Sequence, residues 1–82
     1  MAMMESKWYV DACYDKGFRA PHYGRAIDDW SEVEGFIWEY VQKGFHCLII
    51  EHETGRKWYA LADDFNENIV EPKEIIKDWR WE

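Results

Sequence analysis

Residues 28–61 read DDWSEVEGFIWEYVQKGFHCLIIEHETGRKWYAL, and this stretch decides the fold. Trp30, Val33, Phe36, Ile37, Tyr40, Val41 and Gly44 fall on one stripe of a 3.6-residue period, which predicts an amphipathic helix. Ser31 followed by Glu34 fits a capping box, and Asp28, Asp29, Glu32 and Glu34 suit the positive end of a helix dipole. Glu39 and Lys43 form an i,i+4 pair, and Gly44 suits the residue that ends a helix. Two apolar runs follow, residues 45–51 and 57–62, joined at Glu53-Thr54-Gly55; they predict an antiparallel hairpin. With His52 set opposite Arg56, Ile50 faces Trp58 and Leu48 faces Ala60. Phe45, Cys47, Ile49, Tyr59 and Leu61 then make a second apolar side. A hairpin apolar on both sides needs cover on both, and one helix covers one.

The flanks complete the outline. Residues 7–14 alternate, with Trp8, Val10, Ala12 and Tyr14 pointing one way, as a strand requires. Asp15-Lys16-Gly17 signals a turn, and Pro21 and Gly24 interrupt regular structure in the 14–27 segment, with room for a short returning strand near 18–20 or 25–27. Beyond the hairpin, residues 63–68 are polar and acidic. Pro72, Ile75, Ile76 and Trp79 sit at i, i+3, i+4 and i+7, predicting a short helix over 72–81 that would cover the second side of the hairpin. The pair Trp79 and Trp81 would also suit a terminal strand. The expected fold is a single α+β domain over residues 1–82, in the order β-loop-α-β-β-α. It has a small, mostly antiparallel sheet of three or four strands, one amphipathic helix on a face and a short C-terminal helix.

At 82 residues the interior is thin, and fifteen aromatic rings are more than it can hold, so several are expected at the surface. Cys13 and Cys47 lie in apolar runs and are too few for a disulfide framework. Residues 1–5 lack the basic start and apolar stretch of a signal peptide, and no apolar run approaches membrane-spanning length. A cytoplasmic protein without membrane contact is expected. The formal charge is −7, spread unevenly: residues 1–27 carry four cations and three acids, residues 28–82 six cations and fourteen acids. Such a chain repels phosphate backbones, which argues against direct nucleic-acid binding and for a protein partner with a basic surface.

Catalytic constellations are sparse. Ser6, Ser31 and Thr54 are the only aliphatic hydroxyl residues, and none has the Gly-flanked setting of a nucleophile elbow. His46 and Cys47 are neighbours on a strand and point to opposite sides, while His46 and His52 are about 20 Å apart at strand rise. No CxxC or HExxH spacing occurs, so neither metal nor cofactor is expected, nor enzyme activity. Three surfaces remain. Asp28, Asp29, Glu32, Glu34 and Glu39, with Asp63, Asp64 and Glu67, could form an acidic partner-binding surface that imitates a nucleic-acid backbone. Trp38, about 120° off the helix stripe, and Trp81 are candidate aromatic anchors. Lys16, Phe18, Arg19, His22, Tyr23 and Arg25 make a basic, aromatic island that could hold an anion or small ligand.

A strand, an acidic helix ending in Gly44-Phe45 and a hairpin turned by Glu53-Thr54-Gly55 give a layout that resembles many small phage and mobile-element proteins. The resemblance spans residues 29–61 and carries no functional residue. Some proteins of that kind inhibit host nucleic-acid enzymes, which implies an inhibitor that occupies a basic surface. The alternatives are a self-associating accessory protein, forming a homodimer through its second apolar side, and a small-ligand binder using the 14–27 segment.

Overall fold

A computed structural model describes residues 6–19 and 22–79. The elements are β1 (Trp8–Cys13), β2 (His22–Ile27), α1 (Trp30–Gln42), β3 (His46–Glu51), β4 (Lys57–Ala60) and β5 (Lys77–Asp78), with 3-10 turns at Ala62–Asp64 and Pro72–Glu74. The α+β class holds, and the sheet has five strands where three or four were expected, all paired antiparallel in the order β2-β1-β3-β4-β5. β2 and β3 both flank β1, and α1 carries the chain across β1 from one to the other.

The helix stripe does what its spacing requires. Val33, Phe36, Ile37 and Val41 are buried against Val10, Ala12, Cys47, Ile49 and Ala60 on one side of the sheet, here called the inward side. The cap is Asp29 rather than Ser31: the Asp29 carboxylate accepts the Ser31 amide at 3.0 Å and the Ser31 hydroxyl at 3.0 Å. Glu34, freed from a capping box, accepts the indole N–H of Trp30 at 3.1 Å. Gly44 takes φ +93°, a left-handed conformation that a side chain disfavours. Gly35 is different. It faces solvent within α1, and an added Cβ would meet nothing within 4 Å.

The hairpin register corrects the sequence reading by one residue. Cys47 faces Ala60, Leu48 faces Tyr59, Ile49 faces Trp58 and Ile50 faces Lys57. The cause is a four-residue connection, 52–55, closed by hydrogen bonds from the Glu51 amide to the Arg56 carbonyl and from the Gly55 amide to the Glu51 carbonyl, each 2.8 Å. Gly55 at φ +75° makes that turn possible. Because side chains alternate, the slip reassigns both sides. Cys47, Ile49, Trp58 and Ala60 point inward, while Leu48, Ile50, Lys57 and Tyr59 point outward with Tyr9 and Asp11 of β1.

Two further expectations are refined or overturned. The 14–27 segment, read as a loop with room for a short strand near 18–20 or 25–27, carries the six-residue strand β2 in its second part, paired from Trp8–Ile27 to Cys13–His22. The expected helix over 72–81 is absent from its described part, 72–79: a single 3-10 turn precedes β5, which pairs with β4. Ile75, 1% exposed, joins the inward core beside α1 instead of covering the outward side. The Glu74 carboxylate fixes this turn by accepting the amides of Val70 at 2.8 Å and Glu71 at 2.7 Å. No helix among the described residues is long and apolar enough to cross a membrane.

Gly35→Ala should raise stability by about 1 kcal/mol, because backbone entropy is lost from the unfolded chain with no steric charge in the folded one. That predicts a thermal midpoint roughly 4–8 °C higher. Gly44→Ala should lower stability by about 1 kcal/mol at its positive φ. Ile75→Ala should cost about 2–5 kcal/mol in urea denaturation if the tail is part of the core; a loss below about 0.5 kcal/mol would place Ile75 outside it.

Candidate binding surfaces

Each surface named from the sequence has a definite place in the fold. Much of the acidic set is engaged locally. Lys16 pairs with Asp63, Lys77 with Asp64 at 3.2 Å and Lys43 with Glu39 at 2.9 Å. Asp28 accepts the Lys7 amide at 3.2 Å and Asp29 caps α1. The bond to Lys16 holds the Asp63 carboxyl below its ordinary range, and the bond to Glu39 holds the Lys43 ammonium above its own. Glu32 and Glu67 are exposed and carry no ion pair among the described residues. Of the eight carboxylates, Glu39, Asp63 and Asp64 are therefore ion-paired.

Of the two tryptophan anchors, Trp81 lies outside the described residues. Trp38 is half-buried, its ring 5.4 Å from Phe65 at 75°, so it fastens the segment after β4 to the flank of α1. Trp30 also works internally, set edge-on between Trp8 at 5.2 Å and Trp58 at 5.6 Å. Beside that trio lies a shallow pocket of about 240 Å³ lined by Lys7, Trp8, Glu51 and Glu53. The Trp8 indole N–H is buried without a partner among the described residues. Among the described residues the exposed large rings are tyrosines: Tyr9 at 41%, Tyr14 at 65% and Tyr23 at 58%. Sequence reasoning did not single out Tyr9 or Tyr14; the signal was present for Tyr9, which alternates opposite Val10.

The basic, aromatic island is divided by the pleat of β2. Tyr23 and Arg25 point inward: Tyr23 sits 6.0 Å from Tyr40, and the Arg25 guanidinium 6.0 Å from the Phe36 ring. His22 points outward, its Nδ1 2.6 Å from Oδ1 of Asp11, which is 8% exposed. Lys16 is taken by Asp63. Arg19 donates its amide to Asp15 at 3.0 Å, and hydrogen bonds from the Arg19 and Gly17 amides hold the Asp15 carboxyl below its usual range. Phe18 occupies the left-handed region at φ +58° in this turn. The six residues do not converge on one ligand site. Among the described residues, no three His, Cys, Asp or Glu side chains are placed to hold a metal ion.

The outward side of the sheet is the second apolar side that the sequence predicted, with other residues on it because the register is shifted by one. Tyr9, Leu48, Ile50, Tyr59 and Trp79 share it, with Trp79 edge-on to Tyr59 at 5.7 Å. Tyr9 lies across Gly24, where an added Cβ would fall 1.8 Å from the tyrosine oxygen. At its His46 end the Ala62 amide donates to His46 Nδ1 at 3.1 Å and Lys16 pairs with Asp63. α1 and Ile75 both lie on the inward side. No protein-family model, curated protein or solved structure matches the chain.

Cys47 is enclosed on the inward side, and burial, with a smaller contribution from Asp11, pushes its thiol up to about 12 from 9.0. The folded pKa is the higher one, so the contribution to stability is whole below pH 9 and drains away as pH rises from about 9 toward about 12, where only the unfolded chain ionises. Urea denaturation between about pH 7 and about pH 10.5 should show the wild type losing more stability than Cys47→Ala over that interval; equal losses would contradict it.

Proposed function

We propose that this chain is a small protein-binding module that docks a basic macromolecular partner through the outward side of its sheet. The observation that carries the reading is the row of Tyr9, Leu48, Ile50 and Tyr59, exposed at Tyr9 and half-buried at the other three, on the side of the sheet away from α1 and on strands held rigid by pairing on both sides. An apolar row that no helix among the described residues covers offers a docking surface, and aromatic rings on a rigid sheet offer contact area at low entropic cost. The net charge of −7 supports a basic partner. With many carboxylates already paired, that charge acts as a field at a distance more than as a set of contacts. Basic surfaces of this kind commonly hold phosphate backbones, so the module would act by occlusion, as an inhibitor of a nucleic-acid enzyme.

The two contributions separate kinetically. Charge governs approach, and the apolar row governs residence. The immobilised full-length chain should retain a protein from a host lysate, and the purified partner should then be followed by biosensor kinetics. Raising salt to about 1 M, where screening acts within about 3 Å, should lower the association rate with little change in dissociation. Ile50→Glu, which places a carboxylate in the middle of this row and opposite Lys57, should speed dissociation at least about tenfold in a variant shown by circular dichroism to be folded. Retention unaffected by Ile50→Glu would overturn the assignment of this face.

A further inference from the structure

β2 is an edge strand that pairs with β1 on one side only, through six consecutive residue pairs without a bulge. Five of its six residues are exposed. An edge of this length presents unpaired N–H and C=O groups that template another strand, and proteins ordinarily blunt it with lysine, proline, a bulge or a covering segment. β2 contains no lysine, proline or bulge. Its one cation, Arg25, leans toward Phe36 on the inward side. The opposite edge, β5, is two residues long, and its Asp78 is held by Arg56 at 2.9 Å.

We propose that β2 pairs antiparallel with β2 of a second copy of this chain, about a two-fold axis at Gly24, joining two five-stranded sheets into one of ten. A two-fold axis normal to the sheet sets residues of the same side opposite each other. Three central registers satisfy this: Tyr23, Gly24 or Arg25 facing its own counterpart. The Arg25 register opposes like charges. The Tyr23 register sets Arg25 beyond the start of the other strand. The Gly24 register places Tyr23 opposite Arg25 of the second copy, twice, ring beside guanidinium, and His22 opposite Ala26. It also directs the basic approach to the strand, at Arg19, toward the acidic exit at Asp28 and Asp29 of the second copy. Charge complementarity therefore selects this register. Two exposed rings lie at this edge: Tyr23 on β2 itself and Tyr9 across Gly24. One six-residue strand pair with these rings falls at the small end of specific interfaces, near or below about 1,200 Å², which makes the dimer weak and concentration-dependent.

Sedimentation velocity on the full chain from about 5 to about 500 µM brackets such a dimer. The mass should rise from 10.0 kDa toward twice that value. Arg25→Glu should raise the dissociation constant at least tenfold with its thermal midpoint unchanged, whereas Ile50→Glu should not alter it. Under mild oxidation, a mixture of Tyr23→Cys and Arg25→Cys chains should give a cross-linked pair that neither variant forms alone. A monomer throughout the range, a dimer indifferent to Arg25→Glu, or a cross-link within either single variant would overturn the proposal. The result is independent of the docking face, because Ile50→Glu separates the two.

Discussion

One helix is narrower than five strands. Neighbouring strands lie about 4.8 Å apart, so the sheet spans roughly 19 Å between its edges, while a helix with its side chains is about 10 Å across. α1 therefore covers only the middle of the inward side, and the flanks must be filled by something large. On the β2 flank the filling is Tyr23, Tyr40 and Phe45, with Tyr14 stacked on Phe45 at 4.0 Å. On the other flank it is Trp8, Trp30 and Trp58 at one end, with Ile75, Phe65 and Ile69 packed in from the tail. The aromatic surplus is thus an answer to sheet width. Rings reach sideways from a single helix where aliphatic side chains would leave voids.

The same constraint leaves the outward side without a helix among the described residues. Of the chain after β4, Phe65, Ile69 and Ile75 pack on the inward side, where Ile75 gains full burial. The outward side receives Trp79 against Tyr59 and a strap at one end, fixed by Lys16–Asp63, Lys77–Asp64 and the Ala62–His46 hydrogen bond. Two of the acidic residues that look like recognition groups in the sequence are consumed in that strap. Exposed ion pairs of this kind add little stability each, but they decide which carboxylates are still offered to a partner.

The sequence made some of this legible and concealed the rest for physical reasons. α1 was readable because a 3.6-residue stripe of thirteen residues has no competing interpretation, and its inward residues were the expected ones. The cap was misplaced by two positions because Asp29 and Ser31 are both good caps, and only the geometry chooses. The hairpin register was ambiguous at source. When both sides of a strand are apolar, a one-residue slip swaps one acceptable side for another, so hydrophobic pattern cannot set the turn length. β2 was legible only as one of two options, near 25–27, because Ile27 alone of its residues is buried; Gly24 and Arg25 break the alternation that marks a half-buried strand. In the tail, Pro72, Ile75, Ile76 and Trp79 mimic a helical stripe, yet Ile75 alone is buried and the chain is extended by Lys77. Trp38 looked like an anchor because its angle leaves the stripe, which cannot show that Phe65 returns to meet it.

The two surfaces inferred here differ in chemistry, and the fold makes them interact. The outward side is apolar, while the β2 edge carries Tyr23, Arg25 and His22 on a backbone with unused hydrogen-bonding groups. Tyr9 belongs to both, since it lies on the outward side and across Gly24 at the edge. Pairing of two β2 strands would bring the outward sides of two copies into one continuous surface with both Tyr9 rings at its centre. A partner long enough to touch both halves would then bind as a bivalent ligand, and its second contact would form at the effective concentration set by the rigid sheet. Weak edge pairing and modest face binding would each be strengthened by the other through linkage.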